Sequence, residues 1–177
     1  MNKNIVIFGC DNAGKTTLAY ELQDMISNFG YIVEYHHSLG KDATLDEMHN
    51  FMRENLIKDC VTIFDRFPVI EERVCGKVLR GKDAFQSYYL SYRDEFDSMC
   101  SKVDLFIFCM PHLFDVLNWG EREQMDGVKD YALDLISGYQ KMAVELKQKG
   151  FNVIQYSWRD EIGTQGEFTR IIREVLK

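Results

Sequence analysis

Proline is scarce in this chain, which has two prolines in 177 residues and no Ser- or Gly-rich tract. Such a composition argues against linkers and disordered tails. No apolar run approaches the length of about 18 residues that a membrane-spanning helix needs. The first residues pass directly into a strand-like run, without a basic and apolar leader. We therefore expect one soluble, cytoplasmic domain covering residues 1–177.

Runs of basic residues are also missing, and 28 acidic residues against 21 basic ones give a formal net charge of −7. A field of this sign repels polyanions, which disfavours nucleic acid as a partner without excluding it. The guanine-reading motifs N-K-x-D and T-K-x-D are absent, which argues against a GTPase. The five cysteines form no C-x-x-C pair and lie mostly in apolar runs. They predict reduced thiols rather than a disulfide framework.

Short apolar runs alternate with segments of helical periodicity along the chain. The predicted strands are at 4–8, 31–35, 60–64, 103–110 and 151–156. The predicted helices are at 18–29, 45–56, 82–101 and 126–149, followed by one that runs to the C-terminus. Capping boxes at Thr44 with Glu47, and at Thr164 with Glu167, are expected to open the second and last helices. This order predicts an α/β fold with a five-stranded parallel sheet and helices on both faces.

A glycine-containing loop joins the first predicted strand to the first helix. Its sequence, GCDNAGKTT at 9–17, matches the phosphate loop G-x-x-x-x-G-K-[ST]. In this motif several backbone N–H groups face one phosphate, and the helix N-terminus adds its positive end. Lys15 is expected to reach the β- and γ-phosphates of ATP, and the Thr16 hydroxyl to ligate Mg²⁺. The predicted ATP-binding residues are Gly9, Asn12, Ala13, Gly14, Lys15, Thr16 and Thr17.

An acidic residue and an arginine follow the third predicted strand. Asp65 closes this strand and is therefore expected at the carboxyl edge of the sheet, where ligands bind in open α/β folds. There it can hold the Mg²⁺ shell together with Thr16, or accept a proton from the acceptor. Arg66 would offer a second anionic group the fork-shaped donors of a guanidinium. We thus predict Lys15, Asp65 and Arg66 as catalytic residues.

Two further clusters raise the question of a metal ion or of a phosphate contact. The adjacent His36 and His37 lie on opposite faces of a strand, which disfavours a shared metal ion. The basic residues of the segment after Asp65 have two alternatives, a phosphate or solvent, and solvent is favoured: Arg73, Lys77, Arg80 and Lys82.

Four segments carry a family resemblance, in order and over nearly the whole chain. They are GCDNAGKTT at 9–17, FDRF at 64–67, VDLFIFCMP at 103–111, and the segment around Arg122 and Asp126 that leads into GYQ at 138–140. Together they resemble the thymidylate kinases, a family of deoxynucleoside monophosphate kinases within the P-loop kinases. The chain departs from that family in a shorter stretch between the second and third strands and in having Arg122 as the sole arginine of its lid.

The resemblance implies roles for several residues. Asp11 would approach the sugar of the acceptor nucleotide, Arg66 would bind its phosphate, and Tyr89 would contact its base. Arg122, in a short lid near 118–126, would stabilise the negative charge of the transition state, because Asn12 stands where some family members have a loop arginine. A homodimer formed through the long helices is also implied.

The expected function is transfer of a phosphoryl group from ATP to a deoxynucleoside monophosphate, with ATP and Mg²⁺ as cofactors and a small nucleotide as acceptor. Deoxynucleoside kinases also have an acid-Arg pair after the third strand, but their loop usually lacks an aspartate at the place of Asp11. The alternatives are a P-loop kinase for a deoxynucleoside or for a hydroxymethylated base in DNA, and a non-catalytic ATP-binding switch.

Overall fold

Five strands form one sheet in the order β2-β3-β1-β4-β5, and every neighbouring pair is parallel. They are β1 (Lys3–Phe8), β2 (Val33–His37), β3 (Val61–Asp65), β4 (Leu105–Cys109) and β5 (Val153–Tyr156). The computed structural model describes residues 2–37, 39, 43–79, 95–118, 128–159 and 161–177. The parallel five-stranded sheet predicted from the alternating pattern is confirmed.

Helices cover both faces of the sheet. They are α1 (Lys15–Asn28), α2 (Leu45–Asn55), α3 (Pro68–Glu71), α4 (Lys77–Leu79), α5 (Leu113–Asn118), α6 (Ala132–Gln148) and α7 (Glu161–Val175), and residues 95–100 are also helical. One core contains residues of α1 and α7, and the other contains residues of α2, α3 and α6. The strands β3 and β4 are buried along their whole length, as expected for strands covered on both sides.

The second strand lies two residues further along the chain than its apolar pattern predicts. It pairs with β3 from Val33 opposite Val61 to His37 opposite Asp65, so its end is set by its partner rather than by its own hydrophobicity. His36 consequently stacks on Phe64, with ring centroids 5.6 Å apart, and both residues point to the same side of the sheet. The shift also brings Tyr35 close to the carboxyl edge.

The two predicted capping boxes have opposite outcomes. At α2 the Glu47 N–H donates to Thr44 Oγ1 over 3.3 Å and the Thr44 N–H donates to Glu47 Oε2 over 2.7 Å, so the first box is confirmed. The second box is wrong, because α7 begins at Glu161 and already includes Thr164. Glu167 instead accepts a hydrogen bond from the Ser157 N–H over 3.0 Å, and so tethers the loop after β5.

A helical segment after β3 was not predicted. It begins at α3, continues as a π-helical turn (Glu72–Gly76) and ends with α4. Arg73, which was expected to face solvent, contacts Glu145 over 3.0 Å and lies over the ring of Phe96 at 4.4 Å. The expectation failed because the turn directs this side chain towards α6.

All five cysteines are buried free thiols. Burial raises the pKa of Cys10 and Cys109 to about 12, so these thiols stay protonated at neutral pH. Within the described part of the chain, no helix has the length and apolar character needed to cross a membrane.

Candidate active site

The loop between β1 and α1 has a backbone that only glycine fits at two positions. Gly9 has a φ of +144°, and a Cβ added there would lie 2.5 Å from the carbonyl oxygen of Cys109 on β4. Gly14 has a φ of +80° and precedes α1, and Asn12 also adopts a positive φ of +62°. Such conformations turn successive N–H groups towards one point, as a phosphate-binding loop requires.

Lys15 folds back onto this loop. Its Nζ donates to the carbonyl oxygen of Cys10 over 2.6 Å, and the side chain is buried. The start of α1 has no side-chain cap and no acidic residue in its first turn. The N–H groups of that turn therefore lack the partner that a capping side chain usually provides, which leaves them suited to an anion.

Asp65 connects three elements at the carboxyl edge of the sheet. Its Oδ2 accepts a hydrogen bond from the Thr16 hydroxyl over 2.6 Å and another from the Tyr35 hydroxyl over 3.0 Å. Burial raises the pKa of Tyr35, and the nearby Asp65 carboxylate raises it further, so Tyr35 remains a donor. Tyr35 was not predicted as a site residue. The apolar pattern ends the second strand at Tyr35 and does not show the pairing with β3 that extends it.

The Thr16–Asp65 pair fits a magnesium ion. Mg²⁺ takes hydroxyl and carboxylate oxygens, usually with only one or two carboxylates from the protein and the rest from water and phosphate. Asp65 Oδ1 is buried and has no hydrogen-bond partner within the described ranges. No group of three or more His, Cys, Asp or Glu side chains that could hold a metal ion exists among those residues. This arrangement suits an ion that arrives with a nucleotide.

Arg66 lies directly beside the loop, between two carboxylates. Its Nη2 contacts Asp11 Oδ1, and its Nη1 lies 3.5 Å from Glu71 Oε2. Burial acts to lower the pKa of Arg66, but Glu71 and Asp11 outweigh it and raise the pKa overall. The residue has a φ of +75°, which is unusual for a side chain of this size, and its N–H donates to the Ile7 carbonyl over 2.9 Å.

Glu71 extends this pair into a buried network. Its Oε2 accepts a hydrogen bond from the Tyr139 hydroxyl over 2.6 Å, and Cys75 Sγ lies 3.2 Å from the same hydroxyl. Burial and the adjacent Glu71 raise the pKa of Tyr139 well above its ordinary value. Glu71 and Tyr139 were not predicted as site residues, because Glu71 lies in the unpredicted helical segment and Tyr139 fits the apolar stripe of α6.

The loop after β5 packs against the phosphate loop from the other side. A Cβ added at Gly14 would lie 3.0 Å from Trp158 Cδ1. Arg159 lies over the Trp158 ring at 5.1 Å and is itself bound by Asp115, which accepts from Arg159 Nε over 2.6 Å. This ion pair joins the loop to α5.

The structure thus brings together Asp11, Lys15, Thr16, Asp65 and Arg66 at one end of the sheet. Thr17 is exposed on the first turn of α1, and Gly9, Asn12, Ala13 and Gly14 form the loop itself. Arg122, Tyr89 and residues 119–126 of the predicted lid lie outside the described residues. Their predicted roles stay predictions.

No protein-family model matches this sequence, and no curated protein matches it. Solved structures do match over almost the whole chain. A deoxyadenosine kinase from M. mycoides, solved with the products dCMP and dCDP, has a TM-score of 0.65 at 13% identity, covering 98% of both chains. The same kinase with dCTP has a TM-score of 0.64 at 16% identity and the same coverage.

A third similar structure is the YorR protein from Bacillus subtilis in complex with phosphorylated GDP. Its TM-score is 0.61 at 19% identity, covering 97% of both chains. At these identities the similarity establishes the fold and not the substrate. This chain has the α/β fold of the P-loop nucleoside and nucleotide kinases.

Proposed function

We propose that this protein is a kinase that transfers the γ-phosphoryl group of ATP to a deoxynucleoside or to a deoxynucleoside monophosphate. The main support for this proposal is that two groups of polar residues lie side by side at one edge of the sheet. The first is a phosphate loop with Lys15 and the Thr16–Asp65 pair, and the second is Arg66 with its two carboxylates. A donor site adjoining a separate polar site is what phosphoryl transfer between two small molecules requires.

The ATP-binding half of the site would act by neutralising the charge of the phosphates and by holding them in position. Lys15 Nζ would exchange the Cys10 carbonyl for phosphate oxygens, and the N–H groups of the loop would hold the β-phosphate. Thr16 and Asp65 would hold Mg²⁺, which neutralises charge on the β- and γ-phosphates when bound. Trp158 supports the loop from behind, at Gly14, and so helps to keep it in a phosphate-binding shape.

The acceptor half favours a deoxynucleoside over its monophosphate. A monophosphate brings about two negative charges and needs a surplus of cations, whereas Arg66 is already shared by Asp11 and Glu71. A sugar hydroxyl carries no charge, and carboxylate oxygens can accept its proton. As the bond from phosphorus to the β-γ bridging oxygen breaks, a bond to the sugar oxygen forms. The hydroxyl proton then passes to a carboxylate oxygen of the acceptor site.

A thymidylate-kinase-like reaction on a monophosphate is the second candidate. It is favoured by the contact between Asp11 and Arg66, the two residues to which the resemblance assigns the sugar and the phosphate of the acceptor. In this reaction the phosphate would displace one carboxylate from Arg66. A reaction on a base within DNA is less favoured, because the net charge of −7 opposes a polyanion.

The proposal is tested by incubating the protein with ATP, Mg²⁺ and each of the four deoxynucleosides and their monophosphates, with products identified by mass spectrometry. Duplex DNA and a no-acceptor sample serve as further arms, and Lys15→Ala is the control for contaminating kinases. New monophosphates from nucleosides support the first candidate, and new diphosphates support the second. ATP binding without any phosphorylated product would contradict the kinase proposal and favour a nucleotide-binding switch.

A further inference from the structure

Glu71 is placed so that its carboxylate acts on Arg66. It is the last residue of α3, and its Oε2 lies 3.5 Å from Arg66 Nη1, while Arg66 Nη2 contacts Asp11. Both carboxylates are largely withdrawn from solvent, with 14% of the Glu71 side chain and 8% of the Asp11 side chain exposed. Both terminal nitrogens of the guanidinium are therefore engaged by acids.

Tyr139 holds Glu71 in this position. Its hydroxyl donates to Glu71 Oε2 over 2.6 Å, and the ring is fully buried in the core. Gly138 allows this close packing, because a Cβ there would lie 2.9 Å from Val74 Cγ1, and either α6 or the Val74 side chain would have to shift. The orientation of Glu71 is thus built into the packing of two helices.

The second carboxylate changes the charge of the site. One arginine and two carboxylates give these three side chains a net charge of −1. Asp11 alone balances the charge of Arg66, so the charge of Glu71 is in excess at this site. Glu71 adds a negative charge that an approaching phosphate dianion meets and an uncharged hydroxyl does not.

We propose that Glu71 is a specificity-determining residue that makes the acceptor site reject monophosphates and accept uncharged nucleosides. This inference rests on the proposed kinase function and assigns its acceptor class. Glu71 sets the class by reducing the positive charge that Arg66 presents, and Tyr139 keeps the carboxylate in contact with Arg66. Asp11 and Arg66 remain the groups that face the acceptor.

The test compares Glu71→Gln with wild type. Glutamine keeps the shape and can still accept the hydrogen bond from Tyr139, but it removes the charge. We expect the Kd of a deoxynucleoside monophosphate, measured by calorimetry without ATP, to fall about ten-fold or more. The kcat/KM for the monophosphate, relative to the matching nucleoside, should rise by a similar factor.

Two variants serve as controls. Glu71→Asp keeps the charge but shortens the side chain, and should retain more of the wild-type preference than Glu71→Gln does. Glu145→Gln removes a carboxylate from another arginine pair, where Arg73 Nη2 lies 3.0 Å from Glu145 Oε1, and should leave the preference unchanged. A thermal unfolding curve for each variant separates misfolding from altered selectivity. Tyr139→Phe provides a second route, since releasing Glu71 should shift the preference in the same direction by a smaller factor.

The outcomes separate this inference from the proposed function. Unchanged monophosphate affinity in folded Glu71→Gln would overturn the role of Glu71, even if nucleosides are phosphorylated. A wild-type protein that prefers monophosphates would overturn it as well, while leaving the kinase intact. Loss of nucleoside turnover alone would mean that Glu71 accepts a proton, and without a gain in monophosphate affinity this would also count against the proposal.

Discussion

The hydroxyl of Thr16 donates a hydrogen bond of 2.6 Å to Asp65 Oδ2, which joins the first turn of α1 to the last residue of β3. The two residues are 49 positions apart in the chain. They meet because β1 and β3 are parallel neighbours in which Ile7 pairs with Asp65, so the loop after β1 begins level with the end of β3. Sheet register therefore fixes the geometry of the proposed metal site.

Asp65→Asn is expected to lower kcat at least about a hundred-fold while ATP affinity changes little, because the amide keeps the shape but loses a charge needed at the metal ion or the acceptor proton. Steady-state kinetics with ATP and Mg²⁺, combined with calorimetry of ATP binding, measure both quantities. The control is Asp104→Asn, whose carboxylate accepts the Asn4 N–H over 2.8 Å just before β4. Equal losses of turnover and ATP affinity would give Asp65 a structural role.

Tyr35→Phe should weaken Mg²⁺ activation about ten-fold, because residues that orient a metal ligand commonly contribute this much to metal affinity. The variant removes one of the two hydroxyl donors on Asp65 Oδ2 and keeps the ring next to Tyr20, whose centroid is 5.1 Å away. The measurement is the Mg²⁺ concentration that gives half-maximal activity at saturating ATP. Tyr31→Phe, just before β2, is the matched control. An unchanged Mg²⁺ requirement would mean that Thr16 alone positions Asp65.

The loop and Asp65 were predictable because the loop follows one buried strand and Asp65 ends another. The carboxyl ends of parallel strands share one edge, so short-range patterns were enough to place them together. Tyr35 was not predictable in this way, because the end of β2 depends on pairing with β3. The hydrophobic pattern of one strand carries no information on where the neighbouring strand ends.

Glu71 and Arg73 show a second limit of the sequence. They lie in a segment that changes from α-helix to π-helix and back within Pro68–Leu79, so no single period describes its side chains. Glu167 shows a third limit, since its spacing from Thr164 suggested a cap while its carboxylate binds the Ser157 N–H. A local pattern of this kind is ambiguous wherever a loop offers a competing donor.

Thr44→Ala should lower the free energy of unfolding by about 1 kcal/mol, the usual contribution of an N-cap side chain. Urea denaturation followed by circular dichroism measures the change. Thr169→Ala is the control, because Thr169 lies inside α7 and donates to the Gln165 carbonyl over 2.8 Å without capping a helix. Kinetic constants should stay the same in both variants. A loss in Thr169→Ala as large as that in Thr44→Ala would argue against the cap as the cause.

Arg66→Lys is expected to raise the KM for the acceptor about ten-fold, with the KM for ATP changed less than about two-fold. A lysine keeps the positive charge but has only one side-chain nitrogen, whereas the guanidinium contacts Asp11 and Glu71 with two separate nitrogens. The acceptor would then meet a cation of less defined position. Initial rates measured with each substrate varied in turn give both constants.

The matched control is Arg73→Lys, which removes a guanidinium from the contact with Glu145 and from the face of Phe96. That change is expected to lower the melting temperature, because the stacked and paired geometry is lost, without altering either KM. Arg66→Lys should show the reverse, with an acceptor effect larger than its effect on stability. If the KM for ATP rises as much as that for the acceptor, Arg66 serves the phosphate loop as a whole, and the acceptor site must lie elsewhere on the carboxyl edge of the sheet.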